Sequence, residues 1–474
     1  MTLSAQDPAL VSASELVAAF KARTLSPVEV LDAVLARIAR FEPAVNAFRH
    51  VDHEGARAAA REAEARWAAG RPMGRIDGVP ITVKDNIAVA GQVSRFGSRL
   101  TPDTPQAADA PAVARLRGEG AVIVGKTNMP EYGWKATSDS PLTGLTRNPW
   151  DTRMTTGGSS SGAAAAAVLG MGALHLGTDG GGSVRIPASF TGCFGIKPTR
   201  ARVPAYPASP LGTLAHTGPL TRTVADAALA LSIIAAPDAR DVYAWIAPAP
   251  DFTAGLADGV KGLRIAYSPT LKLPVRNDPE VARAVAKAAA LLAGLGAHVE
   301  ETDPSFDLDQ VRHWDTIWWS GMATQMAPFW DKAEALGDPG MVAGSRLGRD
   351  IPASALIAAN LERARLHAAF AEFHQRFDLL ITPTLPVTAF EVGKLVPPGG
   401  AFPEIWTAWA PYSYPFNLTQ QPAASVPCGL TAAGLPIGLQ IIGPIGADAM
   451  VLRAAHAFEQ ACPPAQIEAP RAGA

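Results

Sequence analysis

Two glycine-bounded stretches, GVPITVKDN at 78–86 and GAVIVGKTN at 120–128, carry short apolar runs with no alternating polar residues. A strand with one wet face alternates, so a continuous β-branched run predicts a strand covered on both faces, as in a mainly parallel sheet. Similar runs return at GLRIAYS (262–268), AHVEE (297–301), FDLLITP (377–383) and LPIGLQIIGP (435–444). Helices are signalled around them. Ser12 with Glu15 and Ser26 with Glu29 are S-x-x-E capping boxes, the second with Pro27 at the first helical position. Val28, Leu31, Leu35 and Ile38 then follow at helical spacing. Asp278 caps a helix expected to run through Leu295, and the Ala-rich run from Ala163 reads as a buried helix. Strands alternating with helices predict an α/β fold. Residues 237–258 read as a surface connection, and the tail from Cys462 is expected to be poorly ordered.

Bulk properties narrow the function. Hydrophobic residues make up 48% and charged residues 18% of 474, which predicts a large core and excludes disorder. That length alone suggests roughly three domains. A net charge of −2 gives no reason to expect a nucleic-acid or membrane-surface partner. The run from Ala163 falls short of the ~20 residues that span a bilayer. Cys193, Cys428 and Cys462 are too far apart for a zinc motif and allow one disulfide at most, which fits a reducing cytoplasm. The opening MTLSAQDPALVS lacks a basic segment followed by an apolar one, so no secretory signal is expected. With no HExxH and no ligand-spaced Cys/His cluster, neither metal nor cofactor is expected.

Two motif matches fail on context. GAVIVGKT (120–127) fits the P-loop pattern, but its four middle residues are the strand itself and Pro130 interrupts the required helix. GSSSG (158–162) fits a nucleophile elbow around Ser160, but the polar DTRMTT precedes it where an apolar strand belongs. With His367, His374 and His456 downstream, a Ser-His-Asp hydrolase using Ser160 stays open as an alternative.

The stretch TDGGGSVRIP at 178–187 is either a linker or a loop whose amides face one point beside a hydroxyl. Val184, Arg185, Ile186 and Pro187 follow at once, which a linker would not require. Together with RNPWDTRMTTGGSSSGAAAA, HTGPLTRTVADAA, PAASVPCG and GLPIGLQIIG, it resembles the signature region and flanks of the amidase signature family. The spacing Lys84–Ser159–Ser183 agrees with that family's layout, and the resemblance covers nearly the whole chain.

The resemblance implies one large α/β/α domain over 1–474, with a mixed, mostly parallel sheet between helical layers. Its signature core would span about 75–225 and its variable substrate region about 300–415. It also implies Ser183 as nucleophile, Ser159 as a bridging serine in a cis peptide, and Lys84 as general base. Gly180, Gly181, Gly182 and Ser183 would supply oxyanion-hole amides. The chemistry needs each part: a serine hydroxyl must lose its proton to act, and lysine accepts one only when burial keeps it neutral. Asp85 adjoins Lys84 but points to the opposite face of the strand. Asp179 and Arg185 are expected to brace the loop, and His216 to be a packing residue. Thr156 departs from a frequent proline; Ala201 and Gln420 stand where glycine is frequent, Gln420 as a change in the pocket wall.

For substrate contacts, Trp314 and Trp318 at i, i+4 suit helix core. Tyr132, Trp134, Trp319, Trp406, Trp409 and Gln420 are the candidates for the pocket, and they suggest an aryl or apolar group. The expected activity is hydrolysis of a small-molecule amide, with esters and carbamates as further substrates, by a monomer or homodimer. The alternative within the family is the glutamine-hydrolysing subunit of a tRNA-dependent amidotransferase.

Overall fold

Eleven strands pair into one sheet, beside two small two-stranded ribbons within 139–155, in a computed structural model that describes residues 7–472. In chain order they are β1 (Phe48–Val51), β2 (Pro80–Lys84), β3 (Val122–Thr127), β4 (Leu174–Asp179), β5 (Phe194–Lys197) and β6 (His216–Thr221). Then come β7 (Arg264–Tyr267), β8 (His298–Glu301), β9 (Leu379–Pro383), β10 (Ala423–Leu430) and β11 (Pro436–Ile442). Their spatial order is β1-β3-β2-β4-β6-β5-β10-β11-β9-β7-β8. Among the described residues no helix is long and apolar enough to cross a membrane. The first six residues, where a secretory signal would begin, lie outside the described ones.

The sheet is mixed, but not mostly parallel. Only β3–β2, β2–β4, β9–β7 and β7–β8 run parallel; the other neighbours, including the whole centre from β4 to β9, are antiparallel. The apolar runs reported burial on two faces, which helices impose on either strand direction. β2, β3, β9 and β11 are buried at every position.

Both capping boxes form, on Ala13–Ala22 and Pro27–Val45, and Leu31, Leu35 and Ile38 are buried along the second helix. The helix capped by Asp278 is Pro279–Gly294. The Ala-rich run divides: Ser161–Val168 is a helix with Ala163 to Ala167 fully buried, and after a glycine turn Leu174–Asp179 is β4. Residues 120–127 hold no phosphate loop, since Val122–Thr127 is strand and Lys126 turns inward to Ile87 O and Ser94 Oγ. The connection 237–258 has no helix or strand. The tail is better anchored than its composition suggested. Ile467 is buried, and Arg471 exchanges backbone hydrogen bonds with Pro149 O and Thr152 N.

Ala201 (φ 61°) and Gln420 (φ 66°) both lie in the left-handed region, joined by the Arg200 N–H donating to Gln420 O at 3.1 Å. Backbone conformation therefore accounts for glycine at these positions. Gln420 is not a pocket residue. Ala201→Gly and Gln420→Gly should each raise the unfolding free energy by up to about 1 kcal/mol, by relieving a left-handed penalty of ~1–2 kcal/mol against the entropy glycine adds to the unfolded chain. Thermal unfolding checks this; kcat/KM should not change, and a lowered Tm would contradict it.

Candidate active site

The carboxyl ends of the parallel neighbours β2 and β4 bring Lys84 and Thr178 to one edge of the sheet. Lys84 is fully buried, with Nζ 2.8 Å from Ser159 Oγ, 3.0 Å from Ser160 Oγ and 2.9 Å from Thr178 Oγ1. Among the described residues no carboxylate pairs with it. Asp85 turns the other way, to Arg49 Nε at 2.6 Å. Burial lowers the Lys84 pKa to about 7, and the Asp179 charge opposes the shift.

The surrounding hydroxyls limit where a neutral Lys84 would point its lone pair. Ser160 gives its own proton to Thr178 O (3.2 Å), which leaves the hydroxyls of Ser159 and Thr178 to donate to the amine, and Thr178 Oγ1 is also held by Asn86 Nδ2 (3.0 Å). Ser159 Oγ has no other hydrogen-bond partner among the described residues, so it can donate to that lone pair and accept from a further hydroxyl. The Gly158–Ser159 peptide is cis. Ser159 and Ser183 line the same cavity of about 330 Å³, and Ser160 N–H donates to Ser183 O at 3.0 Å, tying the two serine loops together.

Asp179 and Arg185 form the expected brace, fully buried, with Arg185 Nη2 and Nε 2.9 and 3.0 Å from the carboxylate. Asp179 also accepts from the N–H groups of Gly182 (2.8 Å) and Val184 (3.2 Å). The oxyanion set is therefore smaller than expected: Gly182 N–H is committed to Asp179. Those of Gly180, Gly181 and Ser183 make no hydrogen bond among the described residues. Packing against the tryptophans requires glycine at two of these positions. A Cβ on Gly181 would lie 2.7 Å from Trp314 and 3.0 Å from Trp406, and one on Gly180 would lie 3.0 Å from Trp318.

Of the aromatic candidates, Tyr132 lines the cavity. The others do not. Trp134 packs on Trp319, Trp319 also fills the space beside Gly344, and Trp409 is stacked on Phe190 in the core. Trp406 supports the glycine loop from behind. The wall is instead made by Trp318, Met322 and Gln325 of the helix Leu308–Met326, by Phe96, and by the loop 204–211. Trp318 was visible only as half of an i, i+4 pair, a spacing shared by core and wall. His216 also lines the cavity while its Nδ1 faces Leu214 O (2.8 Å) and Asp179 O (3.3 Å). The histidines held open for Ser160 face elsewhere: His367 contacts Thr419 O, His374 contacts Phe377 O and Gln421, and His456 contacts Gln460.

A buried lysine bonded to one serine, with a second serine lining the same cavity beside unpaired backbone amides, gathers the groups that serine-based acyl transfer uses. The amidase family profile matches residues 29–452. An acylamidase from Rhodococcus erythropolis is 35% identical over 458 residues, covering 96% of each chain. A glutamyl-tRNA(Gln) amidotransferase subunit from Myxococcus xanthus is 36% identical, covering 94% of this chain and 96% of the relative. Among solved structures, a bacterial aryl acylamidase of the amidase signature family superposes with a TM-score of 0.89 at 32% identity, covering 96% of each chain. The 6-aminohexanoate cyclic dimer hydrolase in complex with substrate gives 0.88 at 28% identity, covering 97% of this chain and 98% of its own. The chain belongs to the amidase family and is a hydrolase acting on amides, built as one α/β domain.

The reactive form of Lys84 is the neutral amine, so kcat/KM for an amide should rise with pH through about 7 and level above it. Lys84→Ala should remove that limb together with nearly all activity. A pH–rate profile of wild-type shape in the variant would contradict the role of Lys84.

Proposed function

We propose that this amidase hydrolyses small neutral amides carrying an aryl or apolar group, through an acyl-enzyme on Ser183. The observation that carries this reading is a lysine buried without a carboxylate, bonded through Ser159 to a cavity whose only charged side chain among the described residues is the Arg185-paired Asp179. Ser183 Oγ bonds to the amide carbon as its proton passes to Ser159 and the proton of Ser159 passes to Lys84. The carbonyl oxygen takes up negative charge against the free N–H groups of Gly180, Gly181 and Ser183. Return of the proton through Ser159 to the amide nitrogen lets the C–N bond break, and water then releases the acid by the same route.

The lining supports the acylamidase reading over glutamine hydrolysis. A free amino acid brings a carboxylate and an ammonium, and each needs an opposite charge or several strong hydrogen bonds when desolvated. The wall offers Phe96, Tyr132, Leu211, Trp318 and Met322, with neutral polar groups such as Gln106 and Gln325 but no unpaired charged side chain among the described residues. The relatives named for acylamide substrates agree with this. Esters and aryl carbamates, which share the carbonyl and need less help to expel an aryl leaving group, complete the proposed range. Residues 75–225 would carry the chemistry and most of the cavity wall, to which 300–415 adds Trp318, Met322 and Gln325. The enzyme would work as a monomer or homodimer in the cytoplasm.

A panel of an anilide, glutamine and an aryl carbamate, run on the purified single chain, tests the substrate class. The anilide should be cleaved fastest, and glutamine turnover at a comparable rate would overturn the reading. Ser183→Ala should leave less than about 1% of activity on any substrate, since nucleophile and base act as one unit. Ser159→Ala should slow an alkyl amide more than the nitrophenyl ester of the same acid, because only the amine must be protonated to leave. The two losses should differ by at least the ~10² low end of a general acid–base contribution. Equal losses in kcat/KM would reduce Ser159 to a structural role.

A further inference from the structure

The glycine loop is gripped by its carbonyl oxygens. Asp179 O accepts from Asn417 Nδ2 (3.1 Å) and faces His216 Nδ1, Gly180 O accepts from Trp314 Nε1 (3.0 Å), and Gly181 O accepts from Ser413 Oγ (2.6 Å). These peptides are trans, so each carbonyl and the next N–H leave one rigid plane in opposite directions. Whatever holds a carbonyl therefore sets where the following N–H points. Asn417 and His216 set Gly180 N–H, and Trp314 sets Gly181 N–H, two of the amides left free for a ligand. Ser413 holds the plane whose N–H belongs to Gly182, which is spent on Asp179.

We propose that Trp314 is a positioning residue that aims Gly181 N–H at the substrate oxygen as charge develops there. The inference rests on the acyl-transfer reading. Three consecutive glycines have the greatest conformational freedom a chain can offer, and an oxyanion hole works only if its donors need no reorganisation during reaction. Trp314 supplies the missing rigidity twice. Its N–H fixes one face of the Gly180–Gly181 peptide, and its ring stands where a Gly181 side chain would otherwise go. The ring is itself fixed, stacked on Trp318 at 4.4 Å and met edge-on by Trp406 at 5.3 Å. Trp318 lines the cavity, so the wall that receives the substrate and the prop behind the oxyanion amide are adjacent turns of one helix.

Trp314→Phe keeps a ring and removes the donor. It should lower kcat for an anilide about 10- to 100-fold, somewhat less than the ~10²–10³ for deleting an oxyanion donor outright, and move KM less than about twofold. Inhibition by an arylboronic acid, whose tetrahedral serine adduct places an oxygen at the oxyanion site, should weaken by the factor lost in kcat. Trp409→Phe removes an indole bond of the same kind, to Leu395 O at 3.0 Å in the core, and should leave kcat unchanged. If Trp314→Phe does not fold, benzothienylalanine at 314, which replaces only N–H by sulfur, makes the same test. Wild-type kcat and boronate affinity in either 314 variant, or an equal kcat loss in Trp409→Phe, would overturn the proposal. Fluorophosphonate labelling separates the two claims. Labelled Ser183 with unchanged kcat defeats only the role of Trp314, whereas no label on wild-type Ser183 defeats the acyl-transfer reading itself.

Discussion

The site depends on the bidentate pairing of Asp179 with Arg185, both fully buried beside the lysine that must stay neutral. A carboxylate so close would ordinarily hold a lysine in its charged form, and the Asp179 charge does act on Lys84 in that direction. Arg185 claims the carboxylate instead and holds it well below the usual carboxylate range. The same carboxylate accepts Gly182 N–H, Val184 N–H and Asn417 Nδ2, so one charge both shapes the glycine loop and is withheld from Lys84. The remaining donors of Arg185 reach Ser413 O, Gln440 Oε1 and Asn417 Oδ1, fastening the loop to β11 and to the segment that holds its carbonyls. Breaking such a pair would strand a buried charge, at a cost of about 3–5 kcal/mol. Stability and function are thus joined at one contact.

Around that contact the enzyme separates charge from substrate. The lysine is surrounded by hydroxyls, the carboxylate by amides and guanidinium, and the cavity beyond them is walled by aromatic and aliphatic groups. A wall whose one charged side chain among the described residues, Asp179, is already paired with Arg185 keeps the effective dielectric low, which strengthens the amide dipoles that meet a developing oxyanion. It also leaves a zwitterionic substrate without an unpaired charged side chain to meet among the described lining residues, so the proposed reaction type and substrate class rest on the same arrangement.

Much of this was legible in the chain, and the boundary has physical reasons. Lys84 stood out because a cation closing an apolar strand needs an explanation, and Ser183 because three glycines led straight into an apolar helix start. Both capping boxes were readable because they are local. The strand directions were not: a run such as ITV records burial on two faces, whichever way its neighbours run. Trp134, Trp319, Trp406 and Trp409 were misplaced because a large aromatic side chain serves core and wall equally, and only the packing of the helix Leu308–Met326 turns Trp318 toward the cavity. Gln420 could not be placed without its backbone angle. The commitment of Gly182 N–H to Asp179 depends on a turn that four small residues leave open.

Burial brings the Lys84 pKa down to about 7 despite Asp179, so that a large neutral fraction exists near neutrality, and the catalytic reading depends on this. The most direct test is an NMR titration of protein carrying 13C at the lysine ε carbons, with the Lys84 signal identified by its loss in Lys84→Met. The account predicts an ε-carbon transition near pH 7. A transition near pH ~10, the ordinary range for lysine, would mean that Lys84 is a cation in the resting enzyme and that the base lies elsewhere.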